Sequence, residues 1–250
     1  LRRLHSLTGV VPIGMFLMVH LTTNASIVWG RINGHDGLEG ADAAVATFQH
    51  EVNFIHSLPA LILIEIFGLW LPIAFHSVLG VIYATSSKPN NDRYAYQDNW
   101  RYTLQRISGY VGVLFIFYHV ATLRWGWSFL IPGGTEWSAE YAASTMAAAL
   151  QGSTDGFRLG GLLVSAFYMV GVSLLVFHLA NGLWTAAISW GLTVSESAQK
   201  RWGQVCFVIG VGLMLAAWSA VLGFATLDAA SAREVETNML EKAAAADGDG

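Results

Sequence analysis

RLGGLLVSAFYMVGVSLLVFHLANGLWTAAI, Arg158–Ile188, decides the fold. The run is 31 residues long and, after its opening arginine, holds no Asp, Glu, Lys or Arg. A helix needs about 20 apolar residues to cross the hydrocarbon core of a bilayer. In that medium only a helix or a closed barrel satisfies its own backbone, so the run reads as a transmembrane helix. Working outward from it, four more runs of this kind appear: Leu7–Trp29, Ser57–Tyr83, Leu104–Leu130 and Trp202–Thr226. The expectation is an all-α integral membrane bundle of five transmembrane helices. The connections Gly30–His56, Ala84–Thr103, Ile131–Phe157 and Ser189–Arg201 read as polar and turn-rich. Residues 1–226 form the bundle, and 227–250 read as a mobile acidic, Ala-rich tail.

Whole-chain composition agrees. Of 250 residues, 54% are hydrophobic and only 12% charged, with a mean hydropathy of +0.48; few soluble domains carry so little charge. Ten tryptophans and 26 glycines suit interfacial indoles and close helix approach in lipid. A net charge of −4 argues against nucleic acid as a partner. The single cysteine, Cys206, can make no internal disulfide, and an iron–sulfur cluster takes about four thiolates. No Gly-rich phosphate loop follows a strand signal, which argues against nucleotide or flavin binding. The first apolar run lacks a small-residue cleavage site and reads as a retained span.

Lys and Arg set the orientation. One side of the membrane collects Arg2, Arg3, Lys88, Arg93, Arg101, Arg106, Lys200 and Arg201; the other has Arg31, Arg124 and Arg158, with Arg233 and Lys242 in the tail. The richer side is expected to be cytoplasmic, which puts the N-terminus inside and, after an odd number of spans, the C-terminus outside.

Of eight histidines, four lie inside spans: His20, His76, His119 and His178, one on each of the first four. Polar groups at that depth are costly and tend to be functional. A lone one is explained by a hydrogen bond to a neighbouring helix, but four, one per helix, need a common cause. At 1.5 Å per residue, His20 and His119 lie roughly 20 Å from the inner ends of their helices, His76 roughly 10 Å and His178 roughly 15 Å. The four sort into an outer pair, His20 with His119, and an inner pair, His76 with His178. Two bis-imidazole pairs stacked across a bilayer suit two six-coordinate haems. Cytochromes that hold both haems between two helices carry two histidines on each, and no span here has two. Gly112 and Gly171 each precede a histidine by seven residues, two turns or about 11 Å along the same face. A missing side chain there leaves room for a porphyrin, or serves helix packing. Asn181 shares a face with His178, to orient the imidazole or to bond a neighbouring helix.

The stretches RRLHSLTGVVPIGMFLMVH (Arg2–His20), SLPALILIEIFGLWLPIAFH (Ser57–His76), NWRYTLQRISGYVGVLFIFYH (Asn99–His119) and VGVSLLVFHLANGLWTAAISWGLTV (Val170–Val194) carry a family resemblance. The chain resembles the membrane-anchor cytochrome b subunit of succinate dehydrogenase, in the class with one five-helix anchor and two haems. That resemblance implies two b haems, the distal one on His20 and His119 and the proximal one on His76 and His178. It implies a flavoprotein subunit and an iron–sulfur subunit as partners in a prokaryotic inner membrane, with the iron–sulfur subunit docked on the cytoplasmic side by the positive inner face and the Asn90–Thr103 loop. It implies a quinone as electron acceptor, taken here as menaquinone, and admits higher-order assembly of the complex. His5 and Ser6 fall where related anchors contact proximal propionates. Arg106 opens the third helix on that side, and Arg124 is placed for the distal haem; snorkelling to the interface is the competing reading for both arginines. Glu65 is the acid set well inside a span. It precedes His76 by eleven residues, close to three α-turns, and is expected to move protons or contact quinone; a helix-end hydrogen bond is the alternative. Some relatives carry a glutamate two residues before the fourth-helix ligand, where this chain has Val176.

Other readings are a different two-haem membrane cytochrome, such as a six-helix ascorbate-reducing type or a hydrogenase or nitrate-reductase anchor, and a haem-free proton or metal transporter. The first type has six spans, and transporters of the second kind show internal repeats and broken helices, neither of which is found. A purely structural anchor leaves four buried histidines unexplained.

Overall fold

The computed structural model describes residues 1–86 and 97–248. Lys88, Arg93 and the 90–96 part of the expected docking loop lie outside the described residues. Helices follow one another as α1 (Arg2–Asn24), α2 (Ser26–Asn33), α3 (Gly40–His56), α4 (Leu61–Thr85), α5 (Gln97–Leu123), α6 (Ala142–Gln151), α7 (Leu159–Ser189), α8 (Glu196–Ala225) and α9 (Ala229–Gly248). No strand occurs among the described residues. The five expected spans are present: α1, α4, α5, α7 and α8 are long and apolar enough to cross a membrane. Their outward faces carry bulky apolar side chains such as Val78, Leu114, Phe207 and Leu222, all more than half exposed. Such a surface is stable only against lipid. The chain is an integral membrane protein.

Two spans are not plain α-helix. Gly9–Gly14 of α1 and Glu65–Trp70 of α4 are π-helical. Proline explains both positions. Pro12 lies within the first segment and Pro72 two residues past the second. Each lacks an N–H, and its ring presses on the carbonyl four residues back. Bonding from i to i+5 re-satisfies the backbone around it.

The chain divides into two compact units. The first comprises Leu1–His20, Ala60–Phe115 and Gly171–Leu215, and the second Leu21–Pro59, Ile116–Val170 and Ala216–Gly250. In the first, the π segment of α1 packs against α4, and Trp190 Nε1 donates to Ser6 Oγ at 2.8 Å.

The second unit departs from the sequence reading. Two connections expected as polar and turn-rich contain the helices α3 and α6. Alanine lets backbones approach, and Ala43, Ala44, Ala46, Ala142, Ala143 and Ala147 on these two helices are all fully buried. Gln49 seals the layer: its Nε2 donates to the Ala139 carbonyl at 2.7 Å, and its Oε1 accepts from Ala142 N–H at 3.0 Å. The segment after Leu227, expected as a mobile tail, is the helix α9, and it packs on α3 and α6. Asp228 caps it, its Oδ1 accepting from the N–H groups of Ala230 and Ser231 at 3.0 and 2.9 Å.

Candidate functional site

Within the first unit, α1, α4, α5 and α7 bring three histidines together. His76 Nδ1 lies 2.8 Å from the His5 carbonyl, and His178 Nδ1 lies 3.1 Å from the Gln105 carbonyl. A carbonyl only accepts, so each Nδ1 carries the proton and each Nε2 the lone pair. That is the tautomer a metal-binding histidine needs, with the second nitrogen donating to a backbone carbonyl. The His76 and His178 ring centroids are 6.1 Å apart, with planes at 83°. An imidazole nitrogen binds a transition metal at about 2 Å and its ring centre lies about 1 Å further, so two axial imidazoles on one metal space their centroids by about 6 Å. The inner pair deduced from depth therefore fits bis-imidazole ligation of a single iron.

Glycines cradle both rings. A Cβ on Gly9 would sit 2.4 Å from His76 Cε1, and one on Gly109 would sit 3.1 Å from His178 Cε1. Neither glycine was singled out by sequence, because each serves a ring on a different helix. The two that were, Gly112 and Gly171, lie at close approaches of α5 and α7. A Cβ there would meet Leu175 Cδ2 at 2.8 Å and Phe115 Cδ2 at 2.2 Å, so the facing helix uses the space of each missing side chain.

Behind His178 stands a polar network that the sequence did not disclose. Ser108, fully buried, donates to the Gln105 carbonyl at 3.0 Å and lies 3.1 Å from His178 Nδ1. Gln105 Nε2 donates to the His178 carbonyl at 3.2 Å, and Gln105 Oε1 accepts from Asn181 Nδ2 at 2.8 Å. Asn181 Oδ1 accepts from Arg101 Nε at 3.1 Å, and the guanidinium lies 3.9 Å over the Trp184 ring. Asn181 thus bonds the neighbouring helix, the second of its two expected roles, and reaches His178 only through Gln105.

The residues expected near propionates separate. The His5 ring stacks on His76 at 4.0 Å, and its Nδ1 is buried without a hydrogen-bond partner among the described residues, a donor position suited to an acidic group. Ser6 has its proton on the Arg3 carbonyl at 3.0 Å while accepting from Trp190. Arg106 Nη2 donates to the Ala84 carbonyl, where it satisfies the last turn of α4. Arg124 is exposed just past the end of α5.

Glu65 is half-buried and begins the π segment of α4. A π segment takes more residues per turn than the 3.6 of an α-helix, so the shared face with His76 counted on three α-turns does not hold. His20 closes the first unit, with Phe16 stacked on it at 5.2 Å. His119 belongs to the second unit, where its Nδ1 lies 3.3 Å from Tyr168 Oη.

No family model and no solved structure matches the chain. A protein of Bacillus subtilis (strain 168), the succinate dehydrogenase cytochrome b558 subunit, is 34% identical over 223 residues, covering 89% of this chain and 95% of the relative.

Proposed function

The chain belongs to the family of succinate dehydrogenase cytochrome b subunits, and from that premise we propose that it anchors the dehydrogenase to the membrane and carries electrons through two b haems to quinone. His76 with His178 hold one haem and His20 with His119 the other. The single observation that carries this reading is the inner pair: two imidazoles at metal-sharing distance, each with Nδ1 committed to a carbonyl. A bound haem supplies one-electron chemistry between the iron–sulfur donor and the two-electron quinone.

The protein's own residues supply position and protons. The carbonyls of His5 and Gln105 orient the inner imidazoles, and His5 Nδ1 meets a propionate. Glu65 is the proton-carrying group for quinone, with menaquinone as the expected acceptor. The flavoprotein and iron–sulfur subunits dock on the cytoplasmic side of a prokaryotic inner membrane, against the basic residues Arg2, Arg3, Lys200 and Arg201. Residues 1–226 carry the haems.

A reduced-minus-oxidised spectrum with haem quantified per polypeptide tests this. About two b haems per chain are expected. One is lost on changing His76 or His178, and the other on changing His20 or His119. Glu65→Gln is expected to keep both haems and lose most quinone turnover; unchanged turnover across pH removes the proton role. A haem-free chain overturns the cytochrome reading and favours a transporter.

A further inference from the structure

The inner histidines are oriented by backbone carbonyls, but His119 is oriented by a side chain. Its Nδ1 lies 3.3 Å from Tyr168 Oη, with the rings edge-on at 5.9 Å. Tyr168 is 7% exposed and hydrogen-bonds in turn to Thr122, which is 1% exposed. Thr122 Oγ1 donates to the carbonyls of Tyr118 and His119, at 2.8 and 3.2 Å.

A threonine hydroxyl has one proton, and with that proton on the carbonyls of its own helix Thr122 Oγ1 is open to accept from Tyr168. In the reading of His119 as a ligand through Nε2, Nδ1 carries the ring proton and donates to the phenol oxygen. Two side chains, Tyr168 and Thr122, thus take at His119 the place that backbone carbonyls take at His76 and His178. The Tyr168 ring is itself held edge-on by Tyr118 at 6.3 Å, and Tyr118 packs on Phe167 at 5.1 Å.

We propose that Tyr168, backed by Thr122, is the positioning residue for His119: it fixes the ring and its tautomer and, by accepting from Nδ1–H, strengthens Nε2 as a donor to the iron. This rests on the reading of His119 as a haem ligand. An imidazole whose Nδ1–H is engaged by an acceptor gives more electron density to the metal. That favours the ferric state and lowers the midpoint potential of the haem concerned. A backbone carbonyl cannot be deleted by mutation, whereas the phenol oxygen can, so substitution at Tyr168 can tune His119.

The test is a redox titration of the purified complex bearing Tyr168→Phe, which keeps the ring and its packing, with low-temperature EPR of the ferric haems. One haem is expected to rise in potential by on the order of a tenfold change in its ferric/ferrous equilibrium, about 59 mV for one electron. Its low-spin signal shifts, and the other haem stays put. Thr122→Val, which leaves the tyrosine in place, is expected to move the same haem in the same direction by less, and it carries the test where Tyr168→Phe does not assemble. Two haems with unmoved potentials and unmoved g values in the assembled variants overturn the proposal while leaving the ligand assignment standing. Retention of both haems in His119→Ala instead overturns that assignment, and the proposal with it.

Discussion

A Cβ added at Gly9 would lie 2.4 Å from His76 Cε1 and 2.8 Å from its Nδ1, closer than side-chain atoms tolerate, whereas one at Gly109 would stop 3.1 Å from His178 Cε1. The obstacle at Gly9 is an imidazole already tied to the His5 carbonyl, so the ring yields only by breaking that bond. Gly9→Ala is therefore expected to cost the chain its His76 haem, dropping haem content by about half, while Gly109→Ala retains both. Haem content per polypeptide, read from the alkaline pyridine spectrum, separates the two; an unaltered Gly9→Ala removes the cradle argument. The histidines themselves were legible in sequence, because an imidazole inside an apolar run stands out by cost alone. Gly9 and Gly109 were not, since the ring that each accommodates arrives from another helix.

Among the elements, α4 and α9 differ most from their sequence readings. In α4 the π segment beside Pro72 changes the phase of the helix between Glu65 and His76, which counting at 3.6 residues per turn cannot detect. In α9, Glu236 is completely buried. Its Oε1 accepts from the N–H groups of Ala143 and Ser144 at 2.7 and 3.2 Å, and its Oε2 from Ser144 Oγ at 2.5 Å. It thus caps the first turn of α6, where a carboxylate also meets the positive end of the helix dipole. Glu236→Ala leaves those donors buried and unpaired, a loss of about 1–3 kcal/mol, and is expected to open α9 to proteases. Burial pushes the Glu236 carboxyl above its ordinary value, against the hydrogen bonds from Ser144 and Ala143 and the nearby Arg233 guanidinium, which pull it down. A raised folded-state pKa means that its contribution to stability is fullest below the ordinary glutamate value, about 4.3, and falls as pH rises through the raised one. Proteolysis of α9 is therefore expected to accelerate with rising pH across that window, and Glu236→Gln to abolish the trend. A flat profile in the unaltered chain counts against it.

For the whole molecule, the Lys and Arg of the sequence are expected to gather at the connections of one side, and an odd number of spans to put the termini on opposite sides of the membrane. Alkaline phosphatase fused to the C-terminus is expected to be active and fused to the N-terminus inactive; the reverse pattern inverts the topology and the docking side. Under the proposed function, a quinone site at the outer face makes electrons traverse the field, at roughly 2.3 kcal/mol per charge per 100 mV, so sidedness bears on energetics. Sequence by itself determined the five spans and the placement of one histidine in each of four. Hydrophobic length and the cost of a polar group in lipid act along the chain and need no partner. Tertiary structure decided what those histidines can do. The groups that face their Nδ1 atoms lie 71 residues away at His5, 73 at Gln105 and 49 at Tyr168. It likewise made a packed helix of the expected tail, through a carboxylate 93 residues from the N–H group of Ala143 that it caps. A hydrogen bond is a short-range, directional contact, and which groups come within that range is settled only when the chain has folded.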